Sequence, residues 1–564
     1  EYVQAWDTRG ERDSVKRAIQ DKSIRKSINF SNVKKVRKKA SPKPGGPGGD
    51  KGKGEAEKQR KPMPYDIENF TFNYSYSELL ERDFETERDV TKTYRGGFNY
   101  AYSLNSKPIK PFTKVKALRS ENYLRLIRET NFNPLPRSFT FSTNMNRQYN
   151  ERQIRNNNPG IRADLPAFFN KSWTWDRVYS LKWDLTKSLQ FDFNATNQAL
   201  VDEPDGLVNK AEDEGLYDEW KRDVWSNLQS FGETMNYRHT ANLSYKIPLD
   251  LIPVLDFMSS NIRYSSSYNW IRQPITFDDI DSLPDIGNTI QNSGNFSGNL
   301  NFNMRTLYNK SGYLKTVQRK ARTSQAQRKK QKERRKKAKG DDPDDKSGEN
   351  QDKKPTPKGQ KFTVVDRFFN LLMSVQNASV TYSQNRGILL PGYSPKTNVM
   401  GMSPDFSAPG PGFIFGKQNS FGEDELDFPE YAATRGWLVQ EENLNMPATY
   451  SYGTNLNMRF TAQPIKDLRL TFSADRRYST STNEYFRWVP DSTNSEGGAY
   501  FGQSPVTTGN FSTSVSSWRT TFTPLDSNNS STTFRQFLAN RVVISERLGG
   551  ENSASNGAHA TDAD

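Results

Sequence analysis

One pattern constrains this chain more than any other: large aromatic and small polar residues alternate in short runs. Phe70-Thr-Phe72-Asn73-Tyr74-Ser75-Tyr76-Ser reads large, small, large, small without a break. The rhythm returns at Phe98-Asn99-Tyr100-Ala-Tyr102, at Phe139-Thr-Phe141 and at Leu189-Gln-Phe191-Asp192-Phe193-Asn194. A period of two means extended backbone with successive side chains on opposite faces. One face is aromatic; the other is Asn, Ser, Thr and Asp. A sheet with one apolar and one hydrated side is how a membrane-spanning β-barrel is written.

Composition agrees. Only 33% of the 564 residues are hydrophobic, yet 12% are aromatic, and mean hydropathy is −0.90. A water-soluble chain of this length carries about 45–50% apolar residues. Few aliphatics beside many Phe, Tyr and Trp suit a lipid-facing layer one side chain deep, flanked by aromatic girdles. No run of about 18 apolar residues occurs, so no membrane helix is expected. Cysteine is absent, which excludes disulfides, thiolate metal ligands and a thiol nucleophile. The opening Glu1-Tyr-Val-Gln has neither an initiator Met nor a signal-like apolar stretch, and an internal piece of a longer protein is expected.

The alternation predicts strands over 70–77, 96–104, 138–147, 172–184, 188–197, 236–247, 259–271, 290–307, 371–384, 451–462, 468–480 and 508–522. The expected fold is all-β: an antiparallel transmembrane β-barrel segment, about a dozen strands of a much larger barrel. On the lipid or girdle face we place Phe70, Phe72, Tyr74, Tyr76, Phe98, Tyr100, Tyr102, Phe139, Phe141, Trp173, Trp175, Tyr179, Trp183, Phe191, Phe193, Tyr264, Tyr268, Trp270, Phe302, Phe460 and Phe472. On the lumen face we place Asn73, Ser75, Asn99, Asp192, Asn194, Asn301, Asn303 and Asn457. Two strands break phase, near 375–378 and 515–518, as a β-bulge would cause. The competing reading of the aromatics is the core of a soluble sheet.

The net charge of +15 is concentrated outside the strands. Residues 1–62 carry 18 Lys/Arg against 8 Asp/Glu and residues 310–361 carry 19 against 7, which leaves the remainder at −7. Both stretches are of low complexity and read as solvated linkers. Anionic lipid headgroups are the next reading, and no nucleic-acid partner is expected because no stacking platform accompanies the charge. If the short turns at 185–187 and 463–467 are periplasmic, strand counting puts 1–69, 105–137, 248–258 and 308–370 on that side. It puts 78–95, 148–171, 198–235, 272–289, 385–450 and 481–507 outside, matching the long extracellular loops of outer-membrane barrels. Within 105–137, Leu118, Tyr123, Leu126 and Ile127 have helical spacing, which predicts a short helix over 116–128. The expected division is a basic periplasmic linker (1–64), strands and loops (65–309), a disordered basic periplasmic linker (310–361), strands and loops (362–545) and a disordered tail (546–564).

Nothing in the chain supports catalysis. The two histidines, His239 and His559, have no metal-ligand spacing, and no nucleophile elbow, P-loop or dinucleotide fingerprint is present. No enzyme activity, cofactor or metal is expected. The clusters Asp202-Glu203-Pro-Asp205 and Glu423-Asp-Glu-Leu-Asp427 read as solvated loop tips, with calcium as the alternative. The glycines of Arg95-Gly96-Gly97 read as permitting a turn or bulge.

Several stretches carry a resemblance: Tyr94-Arg-Gly-Gly-Phe-Asn-Tyr-Ala-Tyr102, Lys107-Pro-Ile-Lys-Pro-Phe112, Asn133-Pro-Leu-Pro-Arg-Ser-Phe-Thr-Phe141, Lys182-Trp-Asp-Leu185, Leu372-Met-Ser-Val-Gln-Asn-Ala-Ser-Val-Thr-Tyr382 and Leu390-Pro-Gly-Tyr393. In order and spacing they resemble the SprA (Sov) family, giant outer-membrane translocons of the type 9 secretion system and of gliding motility. The resemblance implies a fragment with roughly a third of the 36 strands of the largest known barrel. It implies a passive pore for folded proteins at the bacterial cell surface, exported substrates with C-terminal secretion domains, and contacts with a PorV-like shuttle and plug proteins. Energy would come from an inner-membrane motor. The rival readings are a TonB-dependent outer-membrane receptor and a non-membrane β-rich adhesin.

Overall fold

The computed structural model describes residues 20–36, 63–104, 108–113, 124–156, 164–274, 284–320 and 363–551, with short breaks at 205, 209, 212, 399, 466–467, 492, 494–496, 517–521 and 528, and the single residues 13, 16 and 115. Alternating large and small residues here form one antiparallel sheet of 13 strands, each paired with its neighbours in sequence. The strands are β1 (Lys22–Val33), β2 (Phe70–Arg82), β3 (Thr86–Ser103), β4 (Ser138–Ile154), β5 (Phe168–Trp183), β6 (Leu189–Leu200), β7 (Glu233–Ile247), β8 (Met258–Ile271), β9 (Asn288–Asn303), β10 (Val375–Tyr393), β11 (Ala448–Ile465), β12 (Leu468–Pro490) and β13 (Gly498–Thr513). Among the described residues, β1 pairs only with β2 and β13 only with β12, so the sheet has two edges. No described helix is long and apolar enough to cross a membrane.

Each of the twelve predicted strands overlaps one of β2–β13, but 304–307 of the expected 290–307 are helical, and of the expected 508–522 only 508–513 lie in β13, with 517–521 outside the described residues. The extra strand, β1, lies inside the stretch read as a linker. Lys22, Lys26 and the serines interrupt its apolar series Ile24, Ile28, Phe30, and pairing with β2 supplies what local pattern does not. Its presence divides the first basic stretch. Residues 34–62, with 11 Lys/Arg against 3 Asp/Glu, connect β1 to β2 at the end where β2 begins, called proximal here. β1 itself begins at the opposite, distal end, so 1–69 do not form one proximal stretch; residues 1–19 other than 13 and 16 lie outside the described residues.

Three further expectations need correction. Residues 78–95 are not a loop. β2 and β3 continue to a tight turn at 83–85, where the Asp83 carboxylate accepts the amides of Glu85 (2.8 Å) and Thr86 (2.6 Å). Charged residues such as Glu78 and Lys92 face each other across that hairpin and gave it a loop-like composition. Leu371 belongs to a helix, Val364–Leu372, begun by a capping box in which Thr363 and Asp366 bond reciprocally, and the register shift of β10 lies at Val375–Asn377. β13 has a register shift opposite Asn483–Tyr485, near Ser504 with its φ of 50°; the break expected at 515–518 falls past the end of β13, and 517–518 lie outside the described residues. Of the expected helix over 116–128, Arg125–Arg128 is helical and 116–123 lie outside the described residues.

The strands are strongly staggered. Register partners starting at Phe70, the first residue of β2, run through Tyr100, Phe141, Tyr179, Ala195, His239, Tyr268, Asn292 and Ile388 to Tyr450. Tyr450 is fifteen residues from the proximal end of β11 at Ile465. At about 3.3 Å per residue and about 4.8 Å per strand, that climb over nine steps is a tilt of roughly 49°.

Two clusters pack on this frame. At the distal end, residues 394–447 fold over one face of the sheet, with Phe413, Ile414 and Phe428 fully buried against Ile290, Ile388 and Leu390. At the proximal end, Tyr308, Val317 and Met373 form a small core with Phe369, and the buried Asp366 carboxylate accepts from Lys320 Nζ (3.3 Å) and Tyr313 Oη (3.1 Å).

Candidate functional site

Directly opposed residues of an antiparallel pair share a face, so the register sorts every side chain. Asn73, Ser75, Asn99, Asp192, Asn194, Asn301, Asn303 and Asn457 all fall on one face. Their neighbours there are mostly Ser, Thr and Asn, with isolated charges such as Asp176, Arg238 and Arg263. Short side chains bond laterally: Ser267 Oγ to Ser293 Oγ at 2.7 Å, Asn299 Nδ2 to Thr381 Oγ1 at 3.0 Å, and Thr449 Oγ1 to Asn483 Oδ1 at 2.8 Å. Ser142 with Asn99, and Asn457 with Asp475, pair the same way. A surface of this kind holds water, and long cations including Arg25, Arg95, Arg152, Lys182, Arg459 and Arg477 stand among the short groups.

The residues predicted to be lipid-facing all fall on the opposite face, and their environment divides along the strands. Towards the proximal end they are exposed or half-buried and touch one another: Phe72 lies 6.1 Å from Phe98, Phe98 lies 5.6 Å from Phe141, and Phe460 stacks on Phe472 at 4.7 Å. Phe72 is 50% exposed and Phe472 51%, which is unusual for packed phenylalanine. Between Phe72 and Phe98, and again beside Gly96 opposite Tyr74, the strand runs on without a turn; Gly97 is placed where an added Cβ would meet the Thr143 carbonyl at 2.5 Å. Gly97 serves close strand approach, whereas a Cβ on Gly96 would meet nothing within 4 Å; neither makes the turn or bulge expected.

Towards the distal end the same face is covered. Tyr268 (1% exposed) and Trp270 (2%) lie beneath the 394–447 segment, so in this chain neither faces lipid. Tyr179, Phe193 and Tyr264 are partly covered by it too. The reason is hydrogen bonding as well as burial. Tyr264 Oη donates to the Phe415 carbonyl (2.6 Å), Trp270 Nε1 to that of Pro395 (3.2 Å) and His239 Nε2 to that of Ile414 (2.9 Å). Asn292 Nδ2 donates to the carbonyls of Phe413 and Lys417, both at 2.9 Å. Tyr and Trp whose polar tips satisfy a folded segment have the same composition as a girdle, so the sequence could not separate the two. Gly294 and Gly416 permit this contact: a Cβ on Gly294 would meet the Gly416 carbonyl at 2.9 Å, and Gly416 has a φ of +93°. On strands β1–β4 the distal end of this face turns ionic, with Lys26 beside Glu78 (3.3 Å) and Arg147 beside Glu203 (2.7 Å).

A cavity of about 910 Å³ lies at the boundary between the covered and open parts. Phe139, Leu181, Phe191 and Phe193 wall one side; Tyr237, Trp270 and Phe415 another; Arg177, Glu233, Arg272 and Lys396 supply charge. Glu233 is engaged by Arg272 Nη1 (2.8 Å) and Lys396 Nζ (3.1 Å). Nothing in the local sequence around Arg177 marked it, because its setting is built from β4, β6 and Phe231.

Two stretches of the family resemblance meet at the proximal end. Asn133 Nδ2 donates to the Asp184 carbonyl (2.6 Å) and Trp183 Nε1 donates to the Asn133 carbonyl (2.9 Å). One residue of each acidic cluster has a side-chain partner. Glu203 pairs with Arg147, Asp427 accepts from Asn419 Nδ2 (2.8 Å), and Asp205 lies outside the described residues. Among the described residues no three His, Asp or Glu side chains converge as metal ligands. In the covering segment, the hydroxyls of Ser403 and Ser407 hold the Asp405 carboxyl down to about 2, which ties a tight turn. No family model matches the chain, and no curated protein matches it at a significant level.

Proposed function

We propose that this sheet is part of the wall of a large outer-membrane β-barrel, and that the barrel is a passive protein-conducting translocon of the SprA (Sov) kind, serving type 9 secretion and gliding motility at the bacterial cell surface. The division of the two faces carries this reading. One face is polar across the sheet, mostly Asn, Ser and Thr with Arg, Lys and Asp among them; the other bears solvent-exposed Phe, Leu and Met over its proximal half. An exposed band of that kind needs a covering, and hydrocarbon is the solvent it fits. The roughly 49° stagger is close to the ≈ 45° tilt of transmembrane strands.

The edges support a wide barrel. With 13 antiparallel strands, β1 and β13 run in the same direction. Pairing them directly would make a parallel ladder, whereas bacterial single-chain outer-membrane barrels are antiparallel with even strand numbers. Closure therefore takes an odd number of additional strands. Thirteen tilted strands already span an arc of roughly 95 Å, so the closed wall is at least about 30 Å across. The proximal end, which carries both basic connections 34–62 and 310–361, is assigned to the periplasm, and the end bearing the 394–447 cover to the outside. A lining of mostly short, neutral groups suits passage without binding. Exported proteins with C-terminal secretion domains, a PorV-like shuttle and plug proteins are the partners that the family resemblance adds.

Cysteine accessibility tests the wall. In the assembled protein, Asn299→Cys and Asn457→Cys react with a water-borne maleimide, and Leu300→Cys and Met458→Cys do not; equal labelling of both sets overturns the barrel. Coupling a bulky polyethylene glycol maleimide to Asn299→Cys then halts surface delivery of exported proteins. Unimpeded delivery overturns the translocon while leaving the barrel intact.

A further inference from the structure

We propose that the cavity beside Arg177 is a binding site for an anionic amphiphile, a phosphate-bearing lipid seated where the covering segment meets the open aromatic band. Arg177 is only 7% exposed. Its Nη2 donates to Asn197 Oδ1 at 3.0 Å, and its Nε has no partner. The guanidinium lies 5.1 Å from the Trp175 ring centroid and 5.6 Å from that of Phe231. Among the described residues no carboxylate comes within ion-pair distance of it; Glu233, the acidic group of the lining nearest in role, is already shared by Arg272 and Lys396. Asp285, the other acid of the lining, accepts the Gly287 amide. Buried charges are ordinarily paired, and an isolated buried guanidinium is costly. Here it borders a space of about 910 Å³.

The shape of that space selects the ligand. One wall is Phe139, Leu181, Phe191 and Phe193, apolar throughout and continuous with the exposed band of the same sheet face. Arg177, Arg272 and Lys396 line the same space. A headgroup phosphate fits the free donors of Arg177 with the acyl chain along the phenylalanines. Arg in a fixed fork geometry is suited to phosphate. A free anion would leave the apolar wall wet, and a neutral lipid would leave the guanidinium unpaired. That the occupant comes from a membrane rests on the barrel reading above; the site's preference for an anionic amphiphile does not.

The test therefore uses probes soluble in water. Full-length protein is titrated with dihexanoyl phosphatidylglycerol, dihexanoyl phosphatidylcholine and inorganic phosphate. The expected result is binding of the first at least about tenfold tighter than either of the others, the scale of one charge-assisted contact. Arg177→Gln abolishes that preference, Arg177→Lys retains part of it, and Phe193→Ser weakens the amphiphile without changing inorganic phosphate. Asn197→Ala gives the same loss of preference if Arg177→Gln does not assemble. Equal binding of the zwitterionic lipid, equal binding of inorganic phosphate, or an unchanged preference in Arg177→Gln each overturns the site. Retention of native anionic lipid through purification, read by native mass spectrometry and lost in Arg177→Lys or Arg177→Gln, identifies the membrane as the source; binding of the soluble probe without any retained lipid overturns that source alone.

Discussion

Asn292 holds the covering segment to the sheet, and its replacement by Leu tests how that segment is held. The side chain is 1% exposed. Its Nδ2 donates to the carbonyls of Phe413 and Lys417, each at 2.9 Å, and its Oδ1 accepts from Gln418 Nε2 at 3.0 Å. Leucine has similar volume and makes none of these bonds. Three hydrogen bonds at about 1 kcal/mol each, and a further about 1–2 kcal/mol for carbonyls left facing methyl groups, give a loss of about 4–5 kcal/mol. That exceeds the about 1.5–3 kcal/mol from burying a residue such as Ile414. Opening of 408–439 then becomes far more frequent while the strands stay paired. Hydrogen exchange by mass spectrometry reads it directly: at 1.4 kcal/mol per tenfold, exchange of the segment's protected amides accelerates by roughly a hundredfold or more. Amides of β8 and β10 distant from the segment keep their protection. An acceleration below about threefold would show that the segment is held by apolar burial alone.

Other perturbations address the remaining parts. Phe460 is five residues from the proximal end of β11, roughly 11 Å in height at the observed tilt and so near the middle of an apolar band about 25 Å tall; Phe460→Arg destabilises the membrane-inserted protein by about 2–4 kcal/mol in a lipid refolding titration, and a change under about 0.5 kcal/mol would place the residue elsewhere. Gly416→Val drives a side chain into Tyr264 and Gly294 at a left-handed φ, so it exposes the 394–447 segment to proteolysis at protease levels that leave the native chain intact. The Thr363 amide, with help from Lys320 and Tyr313, holds the Asp366 carboxyl below the usual range; the stabilisation is complete above an unfolded value of about 3.9 and is lost as pH falls through the folded value, so the proximal cluster loosens in acid, whereas Asp366→Asn is loosened already at pH 7 with no further acid step. Deletion of 321–358, which spares the buried Val317 and the Lys320–Asp366 pair, leaves heat-modifiable migration of the assembled protein unchanged, and loss of assembly would show that this linker is structural.

Much of the sheet was legible because period-two alternation is a local property. Phe70 to Tyr76 shows its two faces within seven residues, and the same holds for β6 and β9. Where charge overlies the pattern it failed: Lys22 and Lys26 hid β1, and Glu78 to Asp89 made a hairpin resemble a loop. Where two periods compete it also failed. Leu371 alternates with Met373 as a strand would, but the capping box at Thr363 and Asp366 commits that stretch to a helix. Arg177 was silent because a buried cation is defined by what surrounds it, here Trp175, Asn197 and Phe231.

Which side chains share a face follows from local pattern, since backbone geometry alone sends neighbours to opposite sides of a strand. Which part of the aromatic face stays open follows from long-range packing. His239 meets Ile414 across 175 residues and Asn292 meets Phe413 across 121, and no periodicity within a strand encodes a partner so distant. The free edges at β1 and β13, and the stagger that tilts every strand, belong to the same class: they are properties of register between strands, set by packing and hydrogen bonds that form only once the sheet is assembled.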